Sequence, residues 1–198
     1  MHVELEAKFL NIKKDHLRKT LKAQGFLLTE PEFLMTRKTM HFPEHAKMGN
    51  RWGRVRQEAE NVTMTIKWVK DPDALDGTFE TEVIVPSLEA GEAFLTACGL
   101  TTTATQENYR EIWHNTAKTT MVTLDTWPGL RPFVEIEADT ENDLREQADC
   151  LGFDMKNAHF GSVDYIYAHE LGLPREAFIK LKEVTFDAPP KPPEPKTL

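Results

Sequence analysis

The first residues of the chain alternate between apolar and charged side chains, from position 2 to position 10. A period of two is typical of a β-strand with one buried face. Residues 15–25 are spaced differently, because Leu17 and Leu21 fall on one helical stripe and Gly25 follows as a stop signal. We therefore expect the chain to begin with a strand and then a helix.

Similar patterns continue along the chain, separated by proline, glycine, asparagine and aspartate. Helices are expected after Ser87, after Thr140 and near 163–171. Strand patterns lie at about 26–35, 36–42, 52–58, 62–69, 78–85, 104–114, 119–127 and 132–138. Many antiparallel strands with a few helices predict an α+β, β-dominated fold, a barrel or strongly curved sheet with helices packed outside.

The length of 198 residues favours one main domain, which we place at 1–172. A C-terminal extension over 173–187 and a proline-rich tail over 188–198, expected to be disordered, would follow it. Cys98 and Cys150 lie in helical apolar patterns, which favours free, buried thiols. The sequence leaves the oligomeric state open, a homodimer included.

The net charge of -8 disfavours a general nucleic-acid or anionic-membrane partner, because both require a basic surface. The N-terminus carries charges where a secretory signal needs an apolar run, and no stretch has the roughly 18 apolar residues of a membrane span. The expectation is a cytoplasmic protein.

Charged residues two apart share a strand face, and in this chain they are segregated by sign. The first strand and the last two supply carboxylates, at Glu4, Glu6, Asp125, Glu135 and Glu137. The middle strands supply bases, at Arg54, Arg56, Lys67 and Arg110. A solvated polar face is the ordinary interpretation of one such strand, but a solvated sheet usually mixes its charges.

If these faces look inward, acids and bases would line one cavity. Carboxylates are the ligands that Mg²⁺ or Mn²⁺ prefer, and arginine and lysine bind phosphate oxygens. The pattern therefore predicts a site for a metal-chelated oligophosphate.

The same residues resemble the signature of the CYTH domain, found in the triphosphate tunnel metalloenzymes, which include class IV adenylyl cyclases and thiamine triphosphatases. The E-x-E-x-K of VELEAKF is followed in order by R-x-R in GRVRQE, lysine in TMTIKW, arginine in ENYREIW, aspartate in TLDTW and E-x-E in FVEIEAD. The resemblance covers about residues 3–167 and implies a closed eight-stranded antiparallel β-barrel, or tunnel, with helices outside.

By this resemblance a divalent metal, Mg²⁺ or Mn²⁺, would be held by Glu4, Glu6, Asp125, Glu135 and Glu137. The triphosphate would be bound by Lys8, Arg54, Arg56, Lys67 and Arg110. Catalytic roles are implied for Lys67, Glu4 and Glu6.

Other positions have weaker implied roles. Glu80 and Glu82 could bind metal or form ion pairs with tunnel bases, and His41 lies near a position that aims the nucleophile in relatives. Asn108 stands where many members carry a second base. Arg51 is expected at the rim, and the default role of Tyr165 and Tyr167 is packing.

Three functions remain open from the sequence. The first is metal-dependent hydrolysis of inorganic, thiamine or nucleoside triphosphate. The second is a class IV adenylyl cyclase that converts ATP to cyclic AMP and pyrophosphate. The third is a non-catalytic polyphosphate- or nucleotide-binding module, which the carboxylates disfavour because without metal they would repel the ligand.

Overall fold

The computed structural model describes residues 2–43, 50–71 and 76–193, and for residues 2–4 it describes the backbone alone. The predicted α+β class, with an antiparallel sheet and helices on its outer side, is confirmed. The strands are β1 (His2–Glu4), β2 (Glu6–Phe9), β3 (Leu27–His41), β4 (Arg51–Glu58), β5 (Asn61–Val69), β6 (Thr78–Val85), β7 (Thr101–His114), β8 (Thr120–Thr126), β9 (Phe133–Ala138) and β10 (Glu183–Val184). The α-helices are α1 (Lys14–Ala23), α2 (Leu88–Ala97), α3 (Glu141–Cys150), α4 (Val163–Leu171) and α5 (Arg175–Phe178), and Met155–Asn157 forms a 3₁₀ turn.

The sheet has the order β1-β6-β5-β4-β3-β7-β8-β9-β2, and β10 pairs in parallel with β7. β1 and β2 are two parts of one N-terminal strand, so that strand and β3 to β9 make the eight strands that the resemblance implies. The prediction of a closed barrel is wrong. The sheet curls into an open half-barrel: β1 pairs with β6 over His2–Glu4 and β2 pairs with β9 over Glu6–Phe9, so no residue of this strand pairs with both neighbours.

The edge of β2 away from β9 pairs with a segment outside the sheet. The backbone N–H of Lys8 donates to the carbonyl of His159 at 2.9 Å, and the N–H of His159 donates to the carbonyl of Lys8 at 2.9 Å. Since an unpaired strand edge must find hydrogen-bond partners, this segment satisfies the edge of β2 that faces away from β9. β6 pairs with the N-terminal strand over Thr78–Glu80 alone.

The two strand patterns at 26–35 and 36–42 form one long strand, β3. Its pairing with β7 shifts register between Leu28 and Glu30 and again between Glu30 and Phe33. Pro31 lies at this point, and proline lacks the N–H that a regular ladder requires. The irregularity therefore interrupts the regular pairing without ending the strand.

Helices α1, α2 and α3 cover the apolar, convex side of the sheet. α1 and α3 bury Leu21 and Leu144 against Trp113 and Ile136 of the strands, and all four side chains are almost completely inaccessible. Burying each such side chain contributes roughly 1.5–3 kcal/mol. α4 and α5 build a second cluster around Tyr167 and Phe133. The charged side of the strands is left on the concave face.

Helix α2 lies very close to β4. Ser87 caps the helix as predicted, because its side chain accepts a hydrogen bond from the N–H of Ala90 at 3.1 Å. A Cβ atom on Gly91 would lie 2.7 Å from Val55 Cγ1, so glycine is required for this approach. Val55 thus faces the helix, and its neighbours Arg54 and Arg56 face the concave side.

Cys98 and Cys150 are free, as predicted, but the prediction of burial is wrong because both are exposed. Each lies at the C-terminal end of its helix, outside the buried face that contains Leu95 in α2 and Ala148 in α3. Pro190, in the tail expected to be disordered, is buried beside Gly129, and 194–198 lie outside the described residues. No helix in the described ranges has both the length and the apolarity to cross a membrane.

Tyr167 fixes α4 to the loop after β8, because its buried hydroxyl donates to the carbonyl of Pro128 at 2.6 Å. Tyr167→Phe should lower the free energy of unfolding by about 1–2 kcal/mol, since a buried carbonyl loses its donor. Urea denaturation would measure this change. Tyr109→Phe, at an exposed tyrosine, is the matched control, and an equal effect of the two substitutions would contradict the assignment.

Candidate functional site

Basic side chains of the middle strands meet on the concave face. In β4, Trp52, Arg54 and Arg56 alternate with residues that face α2, so their side chains point inward. Lys67 of β5 lies directly opposite Trp52 in the register. Arg54 and Lys67 are both buried although they are charged, with exposed fractions of 7% and 8%.

A cavity of about 100 Å³ opens between these bases and the first and last strands. The five bases predicted to bind phosphate, together with Glu6 and Glu135, all line it. The complete lining is Glu6, Lys8, Arg37, Trp52, Arg54, Arg56, Lys67, Val69, Thr78, Gln106, Arg110, Trp127, Glu135, Gly161, Ser162 and Val163.

Lys8 and the carboxylates of β2 and β9 form the acidic side of the cavity. The Nζ atom of Lys8 lies 2.5 Å from Glu6 Oε1 and 3.2 Å from Glu135 Oε1. Burial by itself raises the pKa of Glu135, but the charges of Lys8 and Arg110 outweigh burial and hold that pKa well below its ordinary value. Glu135 is therefore an anion throughout the neutral range.

Arg110 is held by two carboxylates. Its Nε and Nη2 atoms donate to the two oxygens of Asp125 at 2.8 and 2.6 Å, and Nη2 also donates to Glu135 at 2.6 Å. Burial lowers the pKa of Arg110, but the charges of Asp125 and Glu135 outweigh burial and raise it. Asp125 is completely buried and also accepts from Asn108 at 2.7 Å. Its oxygens thus orient Arg110, and its implied role as a metal ligand stays a prediction.

Glu80 and Glu82 form ion pairs with tunnel bases, which was one of their two implied roles. Lys67 Nζ lies 3.3 Å from Glu80 Oε2. Glu82 Oε2 lies 3.4 Å from Arg54 Nη2 and 3.7 Å from Arg56 Nη2, and it accepts from the hydroxyl of Thr65 at 2.6 Å. These carboxylates balance the bases of the middle strands.

The two arginines of β4 repel each other. Burial and the charge of Arg54 lower the pKa of Arg56 to about 10, against the opposing effect of its ion pair with Glu58. The Nε atoms of Arg54 and Arg56 are buried and have no hydrogen-bond acceptor within the described part of the chain. Buried donors without acceptors carry a cost that an anionic ligand would remove.

The carboxylate oxygens of β2 and β9 are of the type that binds a divalent cation. Glu6 of β2 lies directly opposite Glu137 of β9, and Glu135 is two residues from Glu137 on the same face. Hard oxygen donors of this kind suit Mg²⁺ or Mn²⁺. Among the side chains that the structure describes, however, no three candidate ligands converge on one point. The side chain of Glu4, another predicted ligand, lies outside the described residues.

The remaining candidates, His41, Arg51, Tyr165 and Tyr167, are not among the residues that line the cavity. His41 Nδ1 is 2.8 Å from Thr103 Oγ1, its ring stacks on Trp52 with centroids 6.3 Å apart, and burial lowers its pKa. The guanidinium of Arg51 lies over the ring of Trp68, 4.1 Å from its centroid, and its position at the rim stays a prediction. Tyr167 packs in the core, and Arg175 stacks on Tyr165.

Three features in and around the cavity were not among the site residues predicted from the sequence. Arg37 lines it from β3, Glu58 pairs with Arg56, and the N-terminal end of α4 closes one side with Gly161–Val163. The alternation of Met35, Arg37 and Thr39 in β3 was a signal that could have identified Arg37. Glu58 continues the face of Arg54 and Arg56 in the same way.

The antiparallel half-barrel, with buried basic and acidic side chains on its concave face, has the architecture of a tunnel fold. The CYTH domain matches residues 2–150, and the chain therefore belongs to the CYTH domain family. No functionally curated protein matches the sequence.

Several solved structures share the fold. The PH1012 protein of Pyrococcus horikoshii OT3 is 17% identical, with 79% of this chain and 94% of that chain covered and a TM-score of 0.63. A suspected adenylate cyclase of Vibrio parahaemolyticus is 16% identical, with 84% and 98% covered and a TM-score of 0.69. The suspected adenylyl cyclase HpAC1 of Hippeastrum, with a dominant triphosphatase activity, is 11% identical, with 89% and 99% covered and a TM-score of 0.56. At these identities the likeness establishes the fold alone.

Acid should weaken the folded state through Glu135. The pKa of Glu135 is lower in the folded protein than in an unfolded chain, where it is about 4.3. Its contribution to stability is therefore complete above that value and is lost as the pH falls below it. We expect the free energy of unfolding, measured in urea, to decrease between about pH 5 and pH 3.

Glu135→Gln should show a smaller decrease over the same pH interval. Glu141→Gln, at an exposed carboxylate of α3, should retain the wild-type decrease and serves as the control. An identical pH dependence in the wild type and Glu135→Gln would contradict the role of Glu135.

Proposed function

We propose that this protein hydrolyses a phosphoanhydride bond of a triphosphate held in the concave cavity, with a divalent metal as cofactor. The observation that carries the proposal is the convergence of Lys8, Arg54, Arg56, Lys67 and Arg110, from four strands, on one cavity. Basic side chains that are already buried before a ligand binds are preorganised for negative charge.

The bases would bind and align the phosphate chain. Arg54 and Arg56 offer planar donors on one side, Lys67 provides a compact charge beside them, and Arg110 is oriented by Asp125 from behind. Binding would require the ion pairs with Glu82 and Glu80 to loosen as phosphate oxygens replace the carboxylates. A water oxygen would attack phosphorus while the bridging oxygen leaves, which releases orthophosphate from a terminal phosphate.

Glu6, Glu135 and Glu137 would hold the metal, and Glu4 is the further candidate from the same N-terminal strand. Bound there, Mg²⁺ or Mn²⁺ would neutralise phosphate charge and lower the pKa of a coordinated water. Lys8 lies between Glu6 and Glu135, so it would position both carboxylates against the phosphate chain.

An adenylyl cyclase is the second candidate, and Trp52 is the observation that favours it. Trp52 lines the cavity next to Arg54 on the same strand face. An aromatic ring beside the phosphate bases could stack on a purine, a thiazolium or another organic ring. The same ring would also suit hydrolysis of an organic triphosphate, so reaction products must distinguish the two chemistries.

The substrate test uses purified protein with inorganic triphosphate, thiamine triphosphate or ATP, each with Mg²⁺ or Mn²⁺. Orthophosphate release supports hydrolysis, and cyclic AMP with pyrophosphate supports the cyclase. Tight binding without turnover would support a binding module and contradict both enzymes. We expect orthophosphate release that EDTA abolishes.

Two substitutions should separate binding from turnover. Arg56→Ala should weaken binding of the triphosphate by roughly 10- to 100-fold, because a charge-assisted hydrogen bond is lost. Glu135→Gln should chiefly lower kcat and raise the metal concentration needed for half-maximal activity. Steady-state kinetics with varied substrate and varied metal would measure both effects.

Arg131→Ala provides the control, since Arg131 pairs with Glu170 away from the cavity. Its kinetics should match the wild type. Wild-type activity in both Arg56→Ala and Glu135→Gln would contradict the proposed site.

A further inference from the structure

Arg37 is a buried base of the concave face that none of the implied phosphate-binding roles includes. It lies on β3, directly opposite Arg56 of β4 and Gln106 of β7. Its side chain lines the cavity and is 6% exposed. The guanidinium is therefore both removed from bulk water and directed at the place where a ligand would lie.

The contacts of Arg37 are all with neutral groups. Its Nη2 atom donates to the side-chain oxygen of Asn108 and lies 3.0 Å from the sulfur of Met35. The guanidinium lies over the ring of Trp127, 4.5 Å from its centroid. Its Nε atom is buried and finds no acceptor among the described residues.

The other bases of the cavity differ from Arg37 in this respect. Each of them lies within 4.0 Å of at least one carboxylate: Lys8 of Glu6 and Glu135, Arg54 of Glu82, Arg56 of Glu58 and Glu82, Lys67 of Glu80, and Arg110 of Asp125 and Glu135. For Arg37, no carboxylate of the described chain comes within that distance.

The electrostatic surroundings of Arg37 are unfavourable for a cation. Burial lowers the pKa of Arg37 well below its ordinary value, and the charges of Arg56, Arg54 and Arg110 lower it further, against a smaller opposing effect of Asp125. The same three neighbours would stabilise an anion placed among them. A buried charge with no carboxylate in contact is costly, so the free protein holds Arg37 at the expense of stability.

A packing role does not account for this arrangement. The contact with Trp127 and the contact with Met35 could be made by a long uncharged side chain without the desolvation of a charge. A bound oligophosphate would instead supply the missing negative charge and an acceptor for the Nε donor.

We propose that Arg37 is a substrate-binding residue that donates to a phosphate oxygen of the bound triphosphate, with Asn108 as its positioning residue. This inference rests on the proposed function, because it takes the triphosphate chain as the anion of the cavity. Asn108 is suited to the role because it accepts from Arg37 and donates to Asp125, which links Arg37 to the partner of Arg110.

The test compares Arg37→Met with Lys38→Met. Lys38 is the next residue of the same strand, but it faces outward and pairs with Glu92. Binding of inorganic triphosphate with Mg²⁺ would be measured by isothermal titration calorimetry, and melting temperatures would be measured with and without this ligand.

Arg37→Met should weaken triphosphate binding roughly 10- to 100-fold and reduce the ligand-induced rise in melting temperature. The melting temperature of its free form should equal or exceed that of the wild type, because a repelled cation is removed. Lys38→Met should bind triphosphate as the wild type does. Arg37→Lys should recover part of the lost affinity, since the charge returns without the planar donors.

Unchanged affinity in Arg37→Met would overturn the proposal. A free form that melts at a lower temperature than the wild type, or fails to fold, would also overturn it, because that is the signature of a structural arginine. Arg37→Gln, which retains a hydrogen-bond donor for Asn108, should show the same loss of affinity as Arg37→Met and provides an independent comparison.

The proposed function can fail separately. If the wild type binds triphosphate but does not hydrolyse it, hydrolysis is contradicted while the affinities of the Arg37 variants still decide the inference. If the wild type binds no triphosphate with either metal, both proposals are overturned.

Discussion

Helices α1, α2 and α3 cover the apolar side of the sheet, and this constraint leaves the opposite, charged side of the strands on the concave face. Val55 packs beneath α2 while Arg54 and Arg56 point the other way, and Ile136 packs beneath α3 while Glu135 and Glu137 point inward. The protein therefore has its hydrophobic core between sheet and helices and a polar interior within the curved sheet. The candidate site is a consequence of this arrangement.

A polar interior is stable only if its charges are balanced, and the balance here comes from neighbouring strands. Glu82 forms ion pairs with two arginines, Glu80 pairs with Lys67, and Asp125 and Glu135 both pair with Arg110. These pairs keep the bases in place before any ligand arrives, which reduces the reorganisation that binding requires. The same ion pairs also oppose ligand binding, because a phosphate must displace the carboxylates that already pair with the guanidinium and ammonium groups.

The open edge beside β2 gives the cavity its boundary. The segment at His159 satisfies the backbone of Lys8, and the next residues lead into α4, whose first turn lines the cavity with Ser162 and Val163. Tyr167 and the ion pair between Arg175 and Asp164 fix the position of this helix. The half-barrel is thus completed on one side by helix and loop.

The sequence by itself determined the strand and helix pattern, the side of each strand that is apolar, and the five bases and two of the carboxylates that line the cavity. A two-residue alternation is local information, since side chains two apart always share a face. Only the tertiary structure decided which acid pairs with which base, for example Asp125 with Arg110. It also decided that Arg37 donates to Asn108, which is 71 residues away in the sequence. The tertiary structure also decided that His159 binds the edge of β2. These outcomes depend on register and on contacts between distant segments, and neither leaves a periodic signal in the chain.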